Sequence, residues 1–331
     1  MPNTRAPWLL AALLLVGALL LGLGLSTGAT GFAPWFSQDE TLRQILWDIR
    51  APRTLGAWLA GALLALSGAI AQGLFRNPLA DPYLLGASAG ASLGVAAMLF
   101  GLGLSPAATQ LALRLGLTGA AALGALGAVA LTLVLARGVE HTLRLLLAGV
   151  IVGVVLGAAA ALLGMLNPDI LRAMQAFLLG STGYLGWSAV GILASTLLLG
   201  WGVALGCARM LDALALGEAT AQSLGVRLMP LRLLLVAAMA LATGAAVAHC
   251  GLIAFVGLVA PHLVRSWGCA THGQLLTLSA LTGGALLLAS DVLARSLIAP
   301  QELPVGVLTA ILGGSYLLWL MHRQGVLGGS R

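Results

Sequence analysis

The 331-residue chain is 60% hydrophobic and only 8% charged, with a mean hydropathy of +1.03. A soluble domain carries about a quarter charged residues, so a water-soluble protein is excluded and the chain must lie within a membrane. The net charge of +6 rests on sixteen basic residues, all arginine; set between apolar runs, they read as topology signals and loop contacts rather than a nucleic-acid surface.

A helix crosses a bilayer with roughly 20 apolar residues. The first run, Trp8 to Leu25, is uncharged. Arg5 before it and small residues after it mimic a secretory signal, but the repeated spans that follow favour a retained helix. Further runs lie near 54–75, 83–104, 107–136, 145–166, 187–207, 231–250, 251–264, 275–293 and 305–321. The expectation is an all-α polytopic membrane protein with about ten transmembrane helices, one membrane-spanning domain over 1–331. The run at 251–264 is short and should be partly non-helical or tucked behind its neighbours. Ten spans put both termini on one side. With that side cytoplasmic, the inner segments hold Arg5, Arg76, Arg137, Arg144, Arg209, Arg227, Arg232, Arg265, Arg323 and Arg331. The outer ones hold Arg43, Arg50, Arg53, Arg114, Arg172 and Arg295, a modest positive-inside bias.

Between the second and third spans, "RNPLADPYLLGASAG" is a short polar turn stopped by Pro78 and Pro82. Glycines recur every fourth residue at Gly86, Gly90 and Gly94, and again at Gly149, Gly153 and Gly157. Such stripes let helix backbones approach closely; they serve either packing alone or a helix that lines a path. "GASAG" also matches a serine-hydrolase elbow, but that motif needs a strand before it. After the fifth span, "NPD" (Asn167–Asp169) stops the helix, and "ILRAMQAFLLG" reads as a short helix at the outer mouth carrying Arg172. Arg172 stands three residues after Asp169, a spacing that suits a local ion pair. "SGAIAQ" (Ser67–Gln72) and "TGAAVA" (Thr243–Ala248) echo each other in spans of opposite direction, as an inverted repeat would.

The segment 209–230, "RMLDALALGEATAQSLGVRLMP", is the longest polar inner stretch. It reads as two short helices broken at Gly217 and Gly225. Leu211, Leu214, Leu216 and Leu224 are too few for a span and enough for docking, so it is either a solvated loop or a platform for a cytoplasmic partner. Without lysine there is no phosphate-binding loop. Carboxylates within spans are scarce; Asp291 stands out, and His249 is best read as a hydrogen-bonded histidine at a helix end. A secondary carrier is thereby disfavoured, and an intramembrane enzyme lacks paired catalytic groups. Cys207, Cys250 and Cys269 form no C-x-x-C and read as buried thiols.

Five stretches carry a family resemblance: "RAPRTLGAWLAGALLALSGAIAQGLFRNPLADPYLLGASAGAS", "RLLLAGVIVG", "LGEATAQSLGV", "GLIAFVGLVAPHLVR" and "ELPVGVLTAILGG". The chain resembles the FecCD-type permease subunits of type II ABC importers for iron-siderophores, haem and cobalamin. That resemblance implies ten helices with an inverted repeat of spans 2–5 and 7–10, in the bacterial inner membrane. It implies a homodimer with the path on its two-fold axis. Two cytoplasmic ATPase subunits would bind ATP, and a periplasmic binding protein would deliver cargo. The permease itself is then no enzyme and holds no permanent cofactor or metal. The ATPase contact matches Gly217, Glu218, Ala219, Thr220, Ala221, Gln222, Ser223, Leu224 and Gly225. Docking arginines match Arg50, Arg53 and Arg295. The inner constriction matches His141 and Thr142 before span five and a stretch near Ala89, where some relatives carry asparagine. The translocation path is expected along Arg172, His141, Thr142, Gly149, Gly153 and Gly157. Haem is the expected cargo, with a ferric siderophore or cobalamin as the alternative, and with membrane lipid but no nucleic acid as a further partner.

Overall fold

The computed structural model describes residues 6–28, 31–32, 39–102, 111–136, 142–268 and 271–328. Apolar runs become helices because a backbone removed from water must satisfy its own N–H and C=O groups. α1 (Ala6–Ser26) ends in a two-residue strand pair, Thr27–Gly28 with Gly31–Phe32. α2 (Glu40–Ile45) passes through a π-helical turn, Leu46–Arg50, into α3 (Ala51–Leu74). A 3-10 turn, Pro82–Leu85, ends at Gly86 with φ of 78° and leads into α4 (Ala87–Leu102). α5 (Leu111–Leu135) and α6 (Thr142–Leu166) follow. α7 (Pro168–Leu179) starts on its proline after an Asn167 cap, and α8 (Trp187–Gly206) comes next. Two short helices, α9 (Ala208–Ala215) and α10 (Glu218–Ser223), precede α11 (Leu228–Cys250). α12 (Val256–Ser266), α13 (His272–Ser296) and α14 (Val305–Gly328) complete the chain.

Among the described residues seven helical segments are long and apolar enough to span a bilayer. The shorter apolar helices Ala87–Gly101 and Val305–Leu320, together with α12, account for the remaining expected spans. The short run near 251–264 is non-helical up to Phe255 and helical only from Val256, as its length required. Phe255 takes a left-handed φ of 68°, unusual for an aromatic residue. Gly313 makes room for it, since a Cβ there would strike the Phe255 side chain.

The packing follows an inverted repeat. α4 packs on α5 and α6, and α5 on α6; in the second half α12 packs on α13 and α14, and α13 on α14. Across the halves, α3 packs on α12 and α13 as α11 packs on α4 and α5. At the centre, Ser67 Oγ and Thr243 Oγ1 share a buried hydrogen bond of 2.6 Å. These residues open the two echoing hexapeptides, so equivalent positions meet where an internal two-fold axis would pass. Glycine seams tighten both halves: Gly61 faces Gly283, and Gly90 faces Gly124. A Cβ at any of the four would overlap the opposing carbonyl, the close backbone approach that helix association in lipid favours. The glycines of α4 therefore serve packing.

Candidate functional site

At one end of the bundle lie the C-termini of α3 and α8 and the starts of α4, α11 and α13. Here α9 and α10 stand off the spans. α9 buries Leu211 and Leu214, and α10 buries Ala221, 0% exposed. Ala219, Thr220, Gln222, Ser223 and Leu224 are exposed. Gly217 (φ 116°) and Gly225 (φ 84°) turn the chain at either side of α10, conformations that L side chains avoid. The two short helices and both breaks stand where the sequence puts them. Glu218, the first residue of α10, hydrogen-bonds with Arg232 on α11.

At the same end, a hollow of about 360 Å³ opens between the 81–89 turn and α6. Asp81, Tyr83, Leu84, Gly86, Ser88 and Ala89 line one wall; Gly149, Val150, Gly153 and Val154 line the other. The three α6 glycines differ in role. A Cβ on Gly149 would overlap the Leu84 carbonyl, so this glycine seats the turn on α6. A Cβ on Gly153 would lie 3.8 Å from the Gly86 Cα, an ordinary contact, and one on Gly157 would face open space. Thr142 begins α6, and His141 lies outside the described residues. Asp81, which sequence reasoning missed as a site residue, accepts a hydrogen bond from Tyr83 N–H at 2.8 Å. Its Asx-turn spacing before Pro82 was the available signal. Burial pushes its carboxyl from the ordinary 3.8 up to about 6, against the pull of that N–H. Burial raises the Tyr83 phenol as well. A folded-state value above the unfolded one means that the folded chain binds the proton more tightly, so stability falls as pH rises through this window. We therefore expect the solubilised protein to melt at a higher temperature at about pH 5 than at about pH 7, and Asp81→Asn to flatten that difference. Thermal unfolding followed by circular dichroism checks it; a slope that survives the substitution assigns the effect elsewhere.

At the opposite end the three arginines matched to docking are turned inward in the single chain. Arg50, Arg53 and Arg295 are 5%, 8% and 1% exposed. Arg53 Nε and Nη2 lie 3.2 and 3.0 Å from Asp291 Oδ1, and its Nη1 lies 2.9 Å from Glu302 Oε1. Arg295 pairs with Asp291 Oδ2 at 2.7 Å and donates to the carbonyls of Gly24 and Thr27. Arg50 donates to the carbonyls of Leu25 and Ser26. Thr182 Oγ1 donates to Asp291, which is fully buried. The arginines turn inward for a physical reason: an arginine beside a buried carboxylate gains more from that partner than from water. Asp291 is thus engaged by Arg53, Arg295 and Thr182 in one structural network.

Arg172 projects from α7 and is exposed, 3.2 Å from Asp169 Oδ1. The local ion pair is what the single chain shows. His249 sits in the last turn of α11 as expected, but its buried Nδ1 has no hydrogen-bond partner among the described residues, which corrects the expected hydrogen-bonded cap. Cys207 and Cys250 are buried free thiols, and Cys269 lies outside the described residues.

The FecCD transport family model matches residues 9–323. The chain is 42% identical to the hemin transport system permease protein HmuU of Yersinia pestis, over 96% of each chain. It is 40% identical to the vitamin B12 import system permease protein BtuC of Escherichia coli O157:H7, covering 96% of this chain and 95% of that one. Its fold matches a metal-chelate type ABC transporter in an inward-facing conformation, with a TM-score of 0.86 and 31% identity, over 96% of this chain and 99% of that one.

Proposed function

The chain belongs to the FecCD transport family, and from that premise we propose that it moves haem from periplasm to cytoplasm by alternating access. It is the membrane-spanning permease subunit of a type II ABC importer for haem, cobalamin or an iron chelate. It is not an enzyme; ATP hydrolysis belongs to a separate subunit.

The finer reading sets the α10 end in the cytoplasm, with both termini there, and the Asp291 end in the periplasm. Two copies pair around a shared path and each takes one ATPase subunit on α10. A periplasmic binding protein docks at the Asp291 end, and Arg53 meets it only by leaving Glu302, its partly exposed partner.

The observation that carries haem is Arg172. Its guanidinium is exposed and held by a surface ion pair, a bond worth only about 0–1 kcal/mol and therefore readily exchanged. Two copies would offer two guanidinium groups to the two propionates of one haem. The test is uptake by vesicles holding permease, ATPase and binding protein, offered haem, cobalamin and a ferric siderophore in turn. Haem should be taken up, and Arg172→Ala should lower its uptake by roughly 5- to 10-fold while subunit assembly persists. Uptake of cobalamin or siderophore but not haem, or full haem uptake by the variant, refutes the haem assignment and leaves the importer assignment standing.

A further inference from the structure

We infer that two side-chain pairs, the hydrogen-bonded Asp212–His272 and the ion pair Glu218–Arg232, are struts that hold the α9–α10 arm at a fixed angle to α3, α11 and α13, so that force on α10 reaches the spans. The inference rests on the reading of α10 as the ATPase contact. α10 has six residues and a glycine of positive φ on each side. A Cβ on Gly225 would meet nothing within 4 Å, and one on Gly217 would meet only the Thr220 hydroxyl, at 3.8 Å. A push on so short a helix would be dissipated in the φ/ψ freedom of its ends. Apolar docking of Leu211, Leu214 and Ala221 resists separation but sets no unique orientation.

The two polar pairs supply that orientation. Asp212 Oδ1 accepts the backbone N–H of His272 at 2.9 Å and lies 2.7 Å from its Nδ1. His272 is the first residue of α13, so the carboxylate also faces the positive end of a 25-residue helix. The imidazole rests on the end of α3: a Cβ on Gly73 would come within 3.1 Å of its Cδ2 and Nε2. The second strut starts at Glu218, the first residue of α10, and ends on Arg232 of α11, whose side chain is 4% exposed. The arm is thus pinned before and after Gly217, and that hinge cannot turn without breaking one pair. α13 carries the Asp291 network at its far end, so a tilt imposed through Asp212 acts on a helix anchored at both ends.

Asp212 and Glu218 are positioning residues, and the measurement that isolates them is cargo moved per ATP hydrolysed. In reconstituted vesicles, Asp212→Ala should keep the ATPase bound and lower cargo per ATP by about tenfold or more. Asp212→Asn, which retains an oxygen for the His272 N–H, should restore most of it. Glu218→Arg with Arg232→Glu should outperform either single change, because the reversed pair still braces the hinge. Unchanged cargo per ATP in Asp212→Ala, or loss of ATPase binding in that variant, overturns the strut. If Thr220→Cys fails to crosslink to the ATPase in the assembled complex, the α10 contact itself is wrong, and the strut falls with it.

Discussion

Asp291→Ala should lower the melting temperature of the solubilised protein by on the order of 5–10 °C, the largest stability loss expected from any single side chain. The carboxylate is fully buried and serves Arg53, Arg295 and Thr182 at once. Removing it leaves two guanidinium groups in a low-dielectric setting, and breaking a buried pair costs about 3–5 kcal/mol. Arg53 retains Glu302, and Arg295 retains the carbonyls of Gly24 and Thr27, which is why unfolding should be partial at first. Protease sensitivity near α1 should rise before global melting, because Arg295 ties α1 to α13 through those carbonyls. Asp291→Asn keeps an acceptor for Thr182 and should cost less. A melting temperature within a degree or two of the parent for the alanine variant would falsify the claim that this network holds the end together.

The second large effect is on transport rather than stability. Ala219→Trp should abolish measurable ATP-driven uptake while the folded chain melts as before. Ala219 is exposed on α10, so the indole meets solvent in the isolated chain and meets the ATPase in the complex. Ala221→Trp is the contrast: Ala221 is fully buried, and overpacking there should cost about 1–3 kcal/mol in the chain alone. Uptake by the Ala219 variant at the parent rate would remove α10 from the coupling path.

The spans were legible in the sequence because lipid imposes one rule on every apolar run, and the short run after Cys250 was legible as a departure from it. The breaks at Gly217 and Gly225 were legible too, since glycine between helix-forming residues has few other uses. The arginine network was not. Arg53 and Asp291 are 238 positions apart, and nothing local in "RAPRT" says that its second arginine faces inward. One clue was present: Asp291 and Arg295 stand four apart, one helical turn, at the end of an apolar run. A carboxylate and a cation so placed in lipid should be read as partners first. The glycine stripes announced close packing but not its object; that Gly149 seats the 81–89 turn while Gly157 faces open space depends on where the chain returns.

The Ser67–Thr243 hydrogen bond bears on how such a fold can be built at all. A residue on a two-fold axis faces its own image, and an unaccompanied carboxylate or ammonium there would repel itself. A hydroxyl both donates and accepts, so it can satisfy its own copy in the dry interior. Two free half-chains joining around this axis would therefore find a self-matching contact at that point, as an isologous interface demands. Once both halves lie on one polypeptide the match need no longer be perfect, and the pair can diverge into serine on one side and threonine on the other while the bond persists.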